Sequence, residues 1–285
     1  MIATLNCPFF RRPSGLLPAT ELRIPLTVLV FGCIVMVWAF VNPAHGGQIS
    51  SEQDASVAFA TCAQKKFKAA QIQFQSEPRN PEAALKLGQA AFDWAEFAED
   101  KKQREEIAME GVDACRQVIA RQPKSASGHY YLGINLGQLA RTKSLGALKL
   151  VSEMETEFQI ARDLDEKFDF AGSDRNLGLL YFEAPGWPTS IGNRSKARQH
   201  LQRALLLSPN YPENRLNLLE AYLKWGDKNG ANREFTGLKE LLPVAKRDLS
   251  GEQWESSWAD WDKRWRKIQT KFATDKVLDS PHNKK

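Results

Sequence analysis

Four cysteines and four histidines in 285 residues leave little material for a metal centre or for thiol chemistry. Cys7 and Cys33 fall in the first 46 residues, so the body of the chain keeps only Cys62 and Cys115. With no C-x-x-C between them, they write neither a redox motif nor a zinc site. In an oxidising compartment the two could pair; the plainer reading is two small buried apolar side chains. A strong charge of one sign is also missing. The 39 basic and 34 acidic residues are spread along the chain, and the net +5 carries no nucleic-acid footprint. Long stretches without any of the 18 Gly or 14 Pro argue against a small β-barrel or a collagen-like rod. There is no H-E-x-x-H, G-x-S-x-G, G-x-G-x-x-G, P-loop or EF-hand loop. His45 and His282 lie near the ends, leaving His129 and His200 on different predicted helices. Paired acids such as Asp163 with Asp165, or Asp260 with Asp262, sit among basic residues and read as solvated faces. No catalytic residue, cofactor or metal ligand is therefore expected, and the chain reads as non-enzymatic.

What is present begins with an uncharged apolar run of 16 residues, Leu26 to Val41, behind Arg11, Arg12 and Arg23. Asn42-Pro43-Ala44-His45-Gly46-Gly47 follows it, with small residues at Ala44 and Gly46. That is the layout of a secretory signal peptide processed after Gly46. A spanning helix usually needs about 20 apolar residues, and an uncleaved anchor over residues 1–46 stays open beside the signal. Either way the positive side stays in the cytoplasm and the rest is exported, which predicts a periplasmic or envelope protein with membrane contact only through this segment.

From Ser51 to about Thr274 the pattern is helical, with apolar residues three and four apart and no strand-like alternation. Laid against itself, the chain shows four blocks. Their first helices contain Ala84-Leu85-Lys86-Leu87-Gly88, His129-Tyr130-Tyr131-Leu132-Gly133, Asp174-Arg175-Asn176-Leu177-Gly178 and Arg215-Leu216-Asn217-Leu218-Leu219. Blocks start near Pro81, Ala126, Ala171 and Pro212, at spacings of 45, 45 and 41 residues. Pro81 and Pro212 stand where a first helical residue would.

These blocks resemble the tetratricopeptide repeat (TPR) family. Leu218, Tyr222, Ala231, Phe235, Leu238 and Pro243 fall on its consensus spacing, with Leu219 where the other blocks keep Gly. The third block supplies Leu177, Gly178, Tyr181, Ala197, Ala204 and Pro209. In the two looser blocks Cys115 replaces an aromatic and Glu166 replaces Pro. The resemblance implies an all-α, right-handed superhelical solenoid of stacked antiparallel helix pairs with capping helices at both ends. The expected order is a capping helix over 51–76, repeats at 81–125, 126–170, 171–211 and 212–245, a Trp-rich capping helix over 250–274, and a polar tail over 275–285. Ser250 and Gln253 read as a capping box opening the last helix. Its stripe of Trp254, Trp258, Trp261, Trp265, Ile268 and Phe272 suits the apolar face of a terminal helix; a ligand-binding aromatic ladder is the alternative.

The family's first helices line the concave face, which places Leu85, Gln89 and Phe92; Tyr130, Ile134 and Gln138; Arg175, Leu179 and Phe182; and Leu216, Glu220 and Leu223 in a groove. Such a lining suits a peptide with apolar anchors and one acidic group oriented by Arg175. The competing expectation is a tight superhelix whose interior these residues fill. The loop from Glu183 to Asn193 holds two Pro, two Gly and Trp187. It reads either as a lip of a site or as a rigid connector whose Trp packs over the edge of the stack. Two functions compete: an exported scaffold for a protein or peptide partner, and a carrier of a small ligand. The long loops are similar to those of periplasmic TPR components associated with TRAP transporters, which would imply a periplasmic substrate-binding protein as partner.

Overall fold

The structure, a computed structural model, describes residues 46–143 and 146–278, with side chains over 55–143 and 146–274. The expected leader, apart from Gly46, lies outside the described residues. The helices are α1 (Gly46–Ser76), α2 (Pro81–Ala95), α3 (Lys101–Arg121), α4 (Ala126–Ala140), α5 (Ala147–Leu164), α6 (Phe168–Glu183), α7 (Arg194–Leu207), α8 (Pro212–Trp225), α9 (Lys228–Asp248) and α10 (Glu255–Leu278). Among the described residues there is no strand element, and no helix is long and apolar enough to cross a membrane.

Short polar side chains start five of these helices by accepting the first free backbone N–H groups. Asn80 accepts from Glu82 N at 2.9 Å, Asp100 from Gln103 N at 2.7 Å and Ser125 from Gly128 N at 3.0 Å. Asn193 and Asp227 do the same for α7 and α9. Pro81 and Pro212 occupy first helical positions, where a missing N–H costs nothing.

The helices pair as α2/α3, α4/α5, α6/α7 and α8/α9, and neighbouring pairs stack along the chain. Absent side chains set the closeness within a pair. A Cβ on Gly88 would lie 2.4 Å from Cys115 Sγ, one on Gly133 2.6 Å from Phe158, and one on Gly178 2.7 Å from Leu201. In the fourth pair Leu219 is fully buried, and the tight approach moves to Gly230 against the Tyr222 ring at 2.9 Å. At the first end, Ala63, Phe67 and Ala70 of α1 bury against Leu87, Ala91 and Trp94. At the other end α10 packs on α8, with Trp254, Trp258, Trp261 and Ile268 in one cluster with Tyr211, Leu218 and Tyr222. Phe272 stacks on Phe235 of α9 at 4.1 Å between ring centroids, and Trp265 tilts against the same ring at 4.8 Å. The aromatic stripe is the packed face of α10 together with Trp254 in the turn just before it.

Three local expectations are corrected. The third block's helix does not open cleanly at Ala171: Asp169, Phe170 and Ala171 carry φ of 50°, 55° and 62°, a left-handed turn ahead of the regular helix. Ser250 and Gln253 form no capping box. The one-turn 3-10 helix Glu252–Trp254 starts from Gly251 at φ 99° without a side-chain cap, and Gln253 donates to the Ser250 carbonyl at 3.2 Å. α9 runs past Pro243 to Asp248, beyond the expected end of the fourth block at 245. Cys115 is a free, buried thiol, as the plainer reading has it, and of the two open readings a Cys62–Cys115 bond is absent.

Candidate interaction surface

The inner helices α4, α6 and α8 carry polar residues that pattern alone assigns to solvent, and the structure closes them on one another. Arg175, expected as the groove's cation, is 1% exposed. Its guanidinium donates to the Asp169 carboxylate at 2.6 Å, to the Asp169 and Phe170 carbonyls at 3.1 and 3.3 Å, and to Asn214 Oδ1 at 3.2 Å. The Tyr130 hydroxyl donates to the same Asp169 carboxylate at 2.5 Å, and Asn214 Nδ2 donates to the Phe170 carbonyl at 3.0 Å. Left-handed backbone costs about 1–2 kcal/mol per non-glycine residue. Arg175 and Asn214 hold the turn by capping the carbonyls that it frees. Phe170 completes the clamp by stacking on Tyr211 at 4.5 Å and meeting Trp254 edge-on at 5.9 Å.

Beside this network lies Glu213, fully buried, with neither oxygen accepting a hydrogen bond. It faces Arg175 Nε at 3.7 Å. Burial pushes its carboxyl up to about 7 against the opposing pull of Arg175 and Arg264. Arg264 of α10 donates to Glu220 at 2.7 and 3.0 Å and to Asn217, closing the inner side of α8.

The expected groove residues therefore divide. Phe92, Tyr130, Ile134, Gln138, Arg175, Leu179 and Leu216 are buried. Gln138 is taken up by Glu96, which also receives Arg141 at 3.3 Å. Leu85, Gln89, Phe182, Glu220 and Leu223 stay half-buried, Glu220 beneath Arg264. For the buried members a tight interior, not a peptide groove, describes the packing.

Phe182 and Leu223 come together at the open ends of α6 and α8. There Phe182 meets Trp225 edge-on at 5.5 Å, Lys224 covers Phe182 at 4.6 Å, and Arg194 and Arg198 cover Trp225 at 5.2 and 5.4 Å. This is a ledge of half-buried aromatic rings under cations. The sequence reading named neither Trp225 nor its cations; the run Arg194-Ser195-Lys196-Ala197-Arg198 behind a Pro/Gly loop was the available signal. Trp187, on that loop beside the ledge, is 88% exposed and does not pack over the stack.

The histidines are ties between helices. His129 Nδ1 lies 2.6 Å from Glu157 and its Nε2 3.0 Å from the Pro123 carbonyl. His200 Nδ1 lies 2.7 Å from Asp174, and its ring stacks on Tyr181. Each bridges the two helices of its own pair, and the described residues hold no cluster of potential metal ligands.

Residues 50–170 match the family model described as regulator of microtubule dynamics protein 1–3. No curated protein matches the chain in sequence. Among similar solved structures is TTC0263, a thermophilic TPR protein of Thermus thermophilus. Its TM-score is 0.52 at 19% identity, covering 79% of this chain and 95% of that one. Two structures of MamA give TM-scores of 0.46 and 0.44 at 16% and 17% identity. They cover 73% and 67% of this chain, and 99% and 92% of theirs.

Proposed function

We propose, from the premise that this chain has the tetratricopeptide-repeat fold, that it is a non-enzymatic, exported scaffold for a protein or peptide partner. The observation that carries this reading is the ledge at the ends of α6 and α8. It leaves Phe182, Leu223 and Trp225 half-buried beside one another at the ends of the two helices. Aromatic rings under cations supply both apolar area and orientation for an acidic, apolar segment. Leu85 and Gln89 on α2 extend the accessible inner face. Export rests on the leader pattern, and the likeness to TRAP-associated components names one partner class, a periplasmic substrate-binding protein.

The test is affinity capture from the envelope fraction with the full chain, beside Phe182→Ala, Leu223→Ala and Tyr130→Ala variants. A captured protein lost with Phe182→Ala and Leu223→Ala at unchanged melting temperature supports the ledge, whereas Tyr130→Ala lowers the melting temperature itself. Capture indifferent to the ledge variants overturns the site. Because of the family name matched over 50–170, polymerised tubulin is a second arm, and specific binding there would overturn the exported reading.

A further inference from the structure

The loop between α6 and α7 is tied at its neck. Gly192 N–H donates to the Pro185 carbonyl at 2.8 Å, Asn193 N–H to the Tyr181 carbonyl at 2.9 Å, and Gly186 bridges to Gly192. A Cβ at Gly192 would stand 2.1 Å from the Ala184 carbonyl oxygen, so the neck closes only around glycine. Within the loop, Thr189 N–H donates to the Gly186 carbonyl at 3.1 Å. Ile191 turns inward onto the core, and Trp187 turns outward. The closed neck restrains the backbone that carries the exposed indole and so removes part of the ordering entropy that a free loop would lose on binding.

Charge is distributed in the same sense. No charged residue occurs from Ala184 to Asn193, and Arg194, Lys196 and Arg198 follow at once, with Lys224 nearby on the ledge. Lys196 and Lys224 are about half exposed and lie 3.9 and 3.7 Å from carboxylates. Arg194 faces the Trp225 ring and carbonyl instead of a carboxylate. The one acid at the root of the loop, Glu183, has its carboxyl pushed up by burial.

We propose that this loop is a membrane-contact element, in which Trp187 enters the headgroup layer of an anionic bilayer while Arg194 and Lys196 face lipid phosphates. The surface is too small for a protein interface of ordinary size, which buries about 800 Å² per partner; one indole supplies roughly 150–250 Å². A lone amphipathic ring held above a cationic base suits the headgroup level, where tryptophan is enriched. Each basic residue near an anionic surface is worth about fivefold in binding. This contact goes beyond the scaffold reading and shares only Arg194 with it, since that guanidinium also covers Trp225; lipid quenching of Trp187 needs no captured partner, so the two readings fail separately.

The apolar run 26–41 can itself hold the full chain on vesicles, so the readout must belong to the loop. The full chain and its Trp187→Ala variant are mixed with vesicles of brominated phosphatidylcholine, with and without phosphatidylglycerol. The difference between their emission spectra isolates Trp187, and an unchanged melting temperature shows that both are folded. Expected is strong bromine quenching of the Trp187 component on anionic vesicles. Arg194→Glu with Lys196→Glu should weaken it by at least about fivefold per charge in the vesicle titration. A Trp187 component quenched by aqueous acrylamide but not by brominated lipid overturns the proposal. So does quenching that is equal on neutral vesicles, or a Trp187 shielded by a bound protein.

Discussion

Gly88→Ala is the sharpest test of how the pairs are packed. The added Cβ would sit 2.4 Å from Cys115 Sγ but 4.0 Å from Cys115 Cβ and 3.6 Å from the Gly111 carbonyl oxygen. Only the sulfur is in the way. On an exposed helix the change would stabilise by roughly 0.5–1 kcal/mol, since glycine is the poorer helix former. Forcing a methyl into a closed core costs about 1–3 kcal/mol, so packing wins and a net loss of roughly 1–2 kcal/mol is expected. Cys115→Ala alone removes a fully buried sulfur and leaves a small cavity, for a loss of about 1 kcal/mol. In the double variant the new methyl occupies the space the sulfur vacates, at ordinary contact distance from residue 115. Urea unfolding of the four proteins closes the cycle, and the double variant should be no less stable than Cys115→Ala, with a coupling of at least about 1 kcal/mol. Strictly additive losses, or a Gly88→Ala protein more stable than the parent, would refute the account of the helix approach.

Two further outcomes follow from the interior. The Glu213 carboxyl is raised to about 7 from an ordinary 4.5, so the folded state holds its proton more tightly than the unfolded one. The stability this proton contributes is complete below about 4.5 and is lost as pH rises toward 7, roughly 3 kcal/mol at most. Glu213→Gln should flatten that slope in denaturant unfolding, and an unchanged slope would count against it. Trp261→Ala empties a fully buried site against Tyr211, Trp254 and Trp258 and should cost about 3–5 kcal/mol. A normal melting temperature would show that α10 is not the cap of the stack.

The repeat was legible because its signals are local or periodic. Gly88, Gly133 and Gly178 recur at one position in successive blocks, and the structure puts each against the partner helix. The Trp stripe follows a helical period and packs as one face. The fate of Ser173-Asp174-Arg175-Asn176 was not legible, because polar residues on a first helix read as facing a groove or solvent, as was expected of Arg175. Its partners stand far off in sequence: Asp174 takes His200 at 2.7 Å and Arg203 at 2.9 Å, and Asn176 reaches the Tyr130 hydroxyl at 3.3 Å. Asp169-Phe170-Ala171 contains no glycine, and only Asp169 is of a type that tolerates positive φ. That turn exists because Arg175 and Asn214 hold it. Of the candidate surface, Phe182, Leu223 and Trp187 were named from sequence, while the cations that roof the ledge emerge only when α7 and α8 are brought together.

The clamp around Arg175 also bears on how independently the segments can be exchanged. Stacked repeats ordinarily couple to nearest neighbours, so modules can be deleted or transplanted with modest penalty. Here one guanidinium draws together a tyrosine of the second repeat, the left-handed turn opening the third, and an asparagine of the fourth; through Phe170, the terminal cap joins them. Excising any one of these segments would strand a buried cation or its counter-charge, a far larger loss than one interface. The C-terminal half therefore behaves as a single cooperative block, whereas α1 to α3, outside this network, are the segment where length can change by recombination.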